Sequence, residues 1–421
     1  MVGDGRGSGM PSSAVVVGAG IVGLSVAWFL QERGVAVTVV DRTGVGAGAS
    51  WGNAGWVAPG LAIPLNEPTV LRYGLRSLLD PGAPLHVPLR SGPGLWWFLA
   101  RFAANCRWSS WGRAVRGNLP LSEEAVEAYD VLTSNGVAAP TRAAPVTAAF
   151  SNTRQRDGLL RELARMAEAG QSVEHRVLSA DELYEHAPLA SPNLTSGVRV
   201  DGQRHLDPGE FVQALGNAVV SRGAELRLFE VGDIRIQGRG VTVRQGDDDG
   251  EQITADVAVL ATGAWLPRLA KSFGVRVPVR AGRGYSFIVP VDRPVPGPIY
   301  LPGVRVACTP YRDRLLVAGT MEFSTPEAPP EPARPKAIID STQRLLHGVR
   351  WDERRDVWVG SRPVTHDGRP LVGPVHEPKV YLAGGHGMWG LTHGPATGRL
   401  LAEQIVTGKQ PDALRELHPL R

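Results

Sequence analysis

Residues 14–17 read AVVV, an apolar run of the length expected for a strand buried on both faces. GAGIVG follows at 18–23, and apolar residues then recur at helical spacing as far as Leu30, with Gly34 as the stop. A second apolar run, 35–40, ends on Asp41. The pattern predicts a strand, a glycine turn, a helix and a second strand at the very start of the ordered chain. Helical periodicity returns at 92–115, 121–136 and 154–170. At 201–223 a turn leads into a helix with Asp207 as N-cap, Pro208 at its first position and Gly223 as its stop. Strands are predicted at 225–231 and 253–260, the second running into ATGAW at 261–265. A β-rich stretch covers 278–323, a charged helix 334–348, a strand 379–384, and a last helix ends near 407.

The order of these elements predicts an interleaved chain. Dinucleotide-type pieces lie at its start, middle and end, with other material between them. We assign 14–90, 200–275 and 355–410 to one discontinuous domain and 91–199 with 276–354 to a second. Residues 1–13 and 411–421 are read as tails, and the first of these has no apolar core of the kind a signal peptide needs. With 421 residues the chain is long enough for two cores. The net charge of +4 comes from arginines scattered along the sequence, without a basic block, so no nucleic-acid partner is expected. The two cysteines, Cys106 and Cys308, are far apart and outside any metal-ligand spacing, which fits a reducing cytoplasm. No apolar run is long enough to span a bilayer.

Gly18, Gly20 and Gly23 form GxGxxG between a strand and a helix. Gly18 makes the tight turn, Gly20 admits a pyrophosphate to the backbone, and Gly23 lets helix and strand pack closely. Ala19, Ile21 and Val22 complete the turn, and the helix N-terminus offers N–H groups to phosphates. Asp41, at the end of the next strand, is placed to accept ribose hydroxyls. A dinucleotide is the prediction, and the late return of the chain at ATG and 381–405 favours FAD over a nicotinamide.

Eight stretches in order then resemble the FAD-dependent D-amino-acid oxidase/dehydrogenase family, closest to the bacterial D-amino-acid dehydrogenase small-subunit group, with glycine oxidases as relatives. They are VVVGAGIVGLSVAWFLQERG with VVDR, SWGNAGWVAPG, DGQRHLDPGEFVQAL, VLATGAW, RGYSFIV, VAGTMEF, SRPVTHDGRPLVGP and GGHGMWGLTHGPATGRLLAEQI. The resemblance implies an α/β fold: a Rossmann-like FAD-binding domain of the glutathione-reductase type, interleaved with an α+β substrate domain that holds a mostly antiparallel sheet. It implies that Gly18 to Gly23, Asp41 and Arg42 hold the ADP half of FAD, and that Ala49, Ser50, Gly52, Asn53 and Ala54 run past pyrophosphate and flavin. Val231 is expected at the adenine, and Thr262, Gly263 and Trp265 at the ATG turn beside the cofactor. Arg362 is expected to bind a substrate carboxylate and Tyr285 to assist it. Because Ser361 stands where relatives that attach flavin covalently carry a cysteine, FAD is expected to be non-covalent.

In 381–405 His386 and His393 lie without a carboxylate or cysteine at ligand spacing, so no metal is predicted. A backbone platform is expected instead, with Gly387, Met388, Trp389, Gly390, Leu391 and Thr392 against the flavin and the helix N-terminus facing it. His386 is a candidate to touch flavin or substrate, and His393 is read as structural. Met388 and Trp389 replace residues usual in the dehydrogenase group and are expected to reshape the site. His366 is read as a surface turn residue, and the Trp-rich stretch at 96–111 as packing or as a peripheral membrane face at the inner side of a membrane.

The predicted activity is FAD-dependent oxidation of an amine carbon next to a carboxylate, in a D-amino acid, a glycine-like substrate or a cyclic imino acid. The electron acceptor would be oxygen or a quinone. A specialised biosynthetic amine is the alternative substrate; an RNA-modifying flavoprotein and a non-catalytic FAD-bearing subunit are the competing readings.

Overall fold

The run of small apolar residues at 14–17 is the centre of the fold in the computed structural model, which describes residues 9–71, 85–87, 92–246, 250–376 and 378–421. Six strands form the first sheet, in the order Glu225–Leu228, Ala36–Asp41, Ser13–Val17, Val257–Leu260, Val380–Gly384, Leu371–Pro374. The first five run parallel and the last is antiparallel to its neighbour. Strand alternation divides the apolar side chains between two cores. Val16, Val39 and Val259 face the helices Ile21–Glu32, Pro208–Ser221 and Gly390–Thr407. Val15, Val17 and Leu260 face a small antiparallel sheet, Val231–Gln237, Gly240–Gln245 and Gln252–Ala255. Burial on both sides is why this sequence shows a continuous apolar run rather than alternation.

A second, nine-stranded sheet is mostly antiparallel. At its edge Arg355–Thr365 pairs with Val279–Pro290, which pairs in turn with Arg314–Phe323. This corrects the placement of the whole of 355–410 with the nucleotide-binding part. The first of its strands is hydrogen-bonded along its length into the antiparallel sheet, and only the chain beyond Thr365 returns to the six-stranded one.

Two predicted strands are broken. The segment 225–231 ends one sheet at Leu228 and begins another at Val231. The segment 253–260 is interrupted at Asp256, whose Oδ2 accepts from the backbone N–H groups of Ser12 and Ser13 at 2.7 and 3.1 Å and from both of their hydroxyls. Order therefore begins before residue 14, while residues 1–8 of the predicted tail lie outside the described residues. The patterns at 92–115 and 121–136 resolve into helices Pro93–Asn105 and Trp108–Ser134, the second passing through Pro120.

The segment read as a C-terminal tail is packed. Leu414 and Leu417 are buried, and the Arg421 guanidinium donates to both carboxylate oxygens of Asp367. Arg369 donates to the same carboxylate, and the two guanidinium groups hold Asp367 down at about 2 against the desolvation that would raise it. This clamp buries the turn at 365–370, so His366 is not a surface residue as expected but is itself buried.

Candidate active site

Two cavities open where the two sheets meet, and among the described residues only Asn53 and Arg362 line both. The first takes in the turn after Ser13–Val17, the end of Ala36–Asp41, the loop at 47–53, the turn at 261–265 and the start of the last helix. Gly18 has φ +114°, and a Cβ there would lie 2.4 Å from the Ala261 carbonyl oxygen, so only glycine makes this turn. Asp41 Oδ2 accepts from the Ala19 N–H at 2.9 Å, and Oδ1 accepts from the Thr43 and Gly44 N–H groups at 2.8 and 3.0 Å. The carboxylate thus fixes both loops at the rim before any ribose is considered. Ser50 Oγ accepts from the Ile21 N–H at 3.0 Å and ties the 44–60 loop to the helix N-terminus. Arg42 lies over the Trp265 ring, 4.0 Å from its centroid.

Gly18, Gly20, Ile21, Val22, Asp41, Arg42, Ala49, Ser50, Asn53, Val231, Thr262, Gly263, Trp265, Arg362, His386, Gly387, Gly390 and Leu391 all line this first cavity. Ala19 stands beside it through its bond to Asp41, and Gly23 packs behind the turn. Gly52 lines neither cavity; it lies under Trp358, and its carbonyl accepts from Ser286 Oγ at 2.8 Å. Ala54, Met388 and Trp389, expected at the cofactor, line the second cavity instead. The Trp389 indole is anchored on the Ile63 carbonyl at 2.9 Å. Thr392 lines neither, because its hydroxyl donates to the Trp56 carbonyl at 3.0 Å and accepts from the Ala58 N–H at 3.3 Å.

Arg362 comes from the edge strand and crosses above its neighbour. A Cβ on Gly284 would lie 2.1 Å from Arg362 Cζ. Among the described residues no carboxylate pairs with this guanidinium, and its one protein hydrogen bond is a long 3.4 Å donation to the Thr320 carbonyl. Burial lowers its pKa to about 10, which leaves it a cation at neutral pH. Thr320 sits at φ +51°, and its buried hydroxyl has no partner among the described residues.

Tyr285 is a correction. One residue along the strand from Gly284, it points to the opposite face and is 1% exposed in the core of the second sheet. Its hydroxyl donates to Glu322 Oε1 at 2.8 Å and accepts from the Glu331 N–H at 2.9 Å. Burial pushes the phenol up to about 12. It lines neither cavity, so it is a core residue closing a buried cluster with Arg283, Arg334 and Glu322. The signal that locates this part of the site is Gly284, which sequence reasoning passed over. Tyr300, which does line the second cavity edge-on to Trp56, was also missed.

His386 is buried with Nε2 at 2.9 Å from Thr397 Oγ1, and its Nδ1, unpartnered among the described residues, lies at the first cavity. Burial lowers it to about 4, so the ring is neutral at neutral pH. His393 is bound to Ser122 Oγ at 3.1 Å and is held still lower, at about 3, by burial and by His386.

A match to the FAD dependent oxidoreductase (DAO) family covers residues 13–404. The chain belongs to this family. The D-amino acid dehydrogenase of Vibrio vulnificus strain YJ016 is 30% identical over 408 residues, which is 95% of this chain and 97% of that protein. The enzyme of the same name from Methylobacterium nodulans is 31% identical over 413 residues, covering 96% and 97%. The crystal structure of glycine oxidase from Geobacillus kaustophilus superposes with a TM-score of 0.76 at 20% identity, covering 98% of this chain and 99% of that one. The fold is thus the FAD-binding fold of these oxidoreductases, and FAD is the family's cofactor.

The residues present fit that cofactor. The Gly18 turn leaves the space that a side chain would fill, and the first-turn N–H groups at Ile21 and Val22 border the cavity. At its other side the start of Gly390–Thr407 supplies a second helix N-terminus. The buried Thr262 hydroxyl and His386 Nδ1, both unpartnered among the described residues, belong to residues lining the same cavity.

Proposed function

We propose that this protein oxidises the carbon–nitrogen bond of an amino or imino acid whose reacting carbon bears a carboxylate. The observation that carries the reading is Arg362: a cation at the junction of the two cavities, without a carboxylate partner among the described residues. A half-buried guanidinium in that state is suited to a bidentate carboxylate ligand. The residues of the first cavity would hold FAD, which when bound would supply the two-electron oxidant for the α C–H, and the imine product would be open to hydrolysis by water.

The chain's own part is binding and orientation. Arg362 holds the carboxylate, and the Thr320 carbonyl accepts from its guanidinium. Gly390 and Leu391 bring the positive end of a helix to the cofactor side. Met388 and Trp389 wall the substrate side and shape what enters. Neutral His386 orients a donor or acceptor without adding charge. Both cysteines are buried and line neither cavity, which supports non-covalent FAD.

The similarity to D-amino acid dehydrogenases over almost the whole chain supports D-amino acids as the first substrates to test. The electron acceptor is oxygen or a quinone. Trp96 and Trp97, exposed on the helix Pro93–Asn105 with Arg101 over the Trp97 ring, support contact of that helix with a membrane surface. No helix among the described residues is long and apolar enough to cross a membrane.

The test is anaerobic mixing of the FAD-loaded protein with D-amino acids, glycine and cyclic imino acids. Bleaching of the flavin colour by at least one of them is the expected result. Failure of every member of the panel, in both enantiomers, overturns the reading.

A further inference from the structure

The strand that carries Arg362 ends at Thr365, and the six-stranded sheet resumes at Leu371. The chain crosses from one sheet to the other through the turn at 366–370, and one carboxylate holds that turn. Asp367, 8% exposed, accepts from Arg421 Nε and Nη2 at 3.0 and 3.1 Å and from Arg369 Nε and Nη2 at 3.1 and 3.0 Å. The Arg421 guanidinium also donates to the carbonyls of Arg369 and Pro370 at 2.8 and 2.9 Å, so it grips the turn at three points. Arg369 donates in turn to the Glu416 carboxylate at 2.8 Å.

We propose that Arg421 and Asp367 are positioning residues for the substrate site: their clamp fixes where the Arg362 guanidinium stands against the cofactor side and the wall of the second cavity. This rests on the reading of Arg362 as the carboxylate anchor, and it adds two residues that line neither cavity. Three observations carry it.

First, Arg362 is not pinned where it acts. Its one protein hydrogen bond among the described residues is the 3.4 Å donation to the Thr320 carbonyl, so its place is set by the strand beneath it. That strand ends two positions before Asp367.

Second, the strand end is locked to the cofactor side. Val364 forms an antiparallel bridge with His386, which lines the first cavity. Gly385 has φ +79°, and a Cβ there would lie 2.8 Å from Thr365 Cγ2, 3.4 Å from the Leu371 nitrogen and 3.5 Å from Pro370 Cα. Both flanks of the turn thus press on the residue before His386, and a shift of the turn is passed to the cofactor wall.

Third, the tip of the turn supports the second cavity. Gly368 has φ +76°, and a Cβ there would lie 2.4 Å from Asn66 Oδ1 and 3.2 Å from Pro64 Cβ. Asn66 is fully buried and donates to the Asn105 carbonyl at 3.2 Å, while Pro64, Leu65 and Glu67 around it line the second cavity. Asn118 donates to the Gly368 carbonyl at 3.1 Å and holds the tip from the other side.

A buried ion cluster returns little net stability once the desolvation of its charges is subtracted; here it supplies a single geometry. A planar fork fixes direction as well as distance, which an ammonium does not.

The experiment uses Arg421→Ala and Arg421→Lys in the full FAD-loaded chain. An amino acid that reduces the unmodified protein, and the amine left when that amino acid loses its carboxylate, are each mixed anaerobically with all three proteins across a range of concentrations. Efficiency of flavin reduction by the amino acid should fall at least about tenfold in Arg421→Ala, mainly through a higher half-saturation concentration. In Arg421→Lys, which keeps the charge and loses the fork, it should fall at least about threefold. Efficiency with the amine should stay within about twofold in both, because the amine does not use Arg362. A merely structural role would lower both substrates together. Flavin content and melting temperature report folding, and Tyr285→Phe serves as a control for lost stability alone, with an unchanged amino-acid-to-amine ratio. If Arg421→Ala does not fold, Arg421→Lys decides. An unchanged ratio in the Arg421 variants, or an equal change in Tyr285→Phe, overturns the proposal and leaves the amine-oxidising reading standing. No reduction of the unmodified protein by any amino acid would remove both.

Discussion

A Cβ on Gly284 would lie 2.1 Å from Arg362 Cζ, so the guanidinium occupies the space that any side chain at position 284 would fill. Two adjacent strands set this up: Gly284 faces Gly360 across the pairing, while Arg362 faces Gly282 and reaches back over the strand. Replacing glycine here moves the arginine without touching the cofactor residues. Gly284→Ala is therefore expected to behave as a weaker Arg362→Ala. For Arg362→Ala we expect the KM for the amino-acid substrate to rise by about 10²-fold or more, from the loss of two charge-assisted hydrogen bonds. FAD content, read from the visible spectrum after gel filtration, should stay near that of the unmodified protein in both. Loss of FAD with unchanged KM would move Arg362 to the cofactor.

Asp41 accepts three backbone N–H groups at the rim of the first cavity. Asp41→Ala strands those donors and loosens both loops. The dissociation constant for FAD should rise by about 10- to 100-fold, for a loss of one to three kcal/mol. Melting should fall and recover with added FAD, because a ligand that binds only the folded state restores stability by mass action. Unchanged FAD affinity by fluorescence titration would show that Asp41 has no part in holding the cofactor.

Tyr285→Phe tests the correction made to the sequence reading. The change leaves Glu322 and the Glu331 N–H each short of a partner in a buried cluster. Stability to urea should drop by about 1–3 kcal/mol. Turnover per bound flavin should be unchanged, because the hydroxyl lies outside both cavities. A large fall in turnover at full flavin content would return Tyr285 to the chemistry.

Burial lowers His205 and His386 to about 4 and His393 to about 3, all from the ordinary imidazole value of about 6.5. Below 6.5 the unfolded chain takes up protons that the folded chain refuses. Stability contributed by these neutral rings is thus complete above 6.5 and is lost as pH falls towards 4. Each ring contributes about 1.4 kcal/mol per pH unit within that window. Melting temperature should fall steadily from pH 6.5 downwards, and His393→Gln should flatten that fall. A melting temperature constant from pH 7 to pH 4.5 would contradict the assignment of buried neutral histidines.

The nucleotide-binding half was legible because its chemistry is local. A strand, three glycines, a helix and a terminal Asp41 lie within 29 residues, and the structure places Gly18, Gly20 and Asp41 on one cavity. Arg362 was legible only through resemblance. The misreadings came from facts that a linear pattern does not hold. Which face of the strand Tyr285 takes depends on the pairing of Val279–Pro290 with both neighbours, including an irregularity between Arg283 and Tyr285. The break at Asp256 depends on Ser12 and Ser13, 244 and 243 positions earlier. His366 is buried because Arg421, 54 positions on from Asp367, reaches back to clamp its turn.

The central claim is that Arg362 presents a carboxylate-bearing amine to FAD. The direct measurement is rapid anaerobic mixing of the FAD-loaded protein with an amino acid that reduces it, and separately with the amine left when that amino acid loses its carboxylate. The account predicts that the amino acid bleaches the flavin and that the matched amine does so at least about 10²-fold more slowly at the same subsaturating concentration. Equal rates for the two would contradict it.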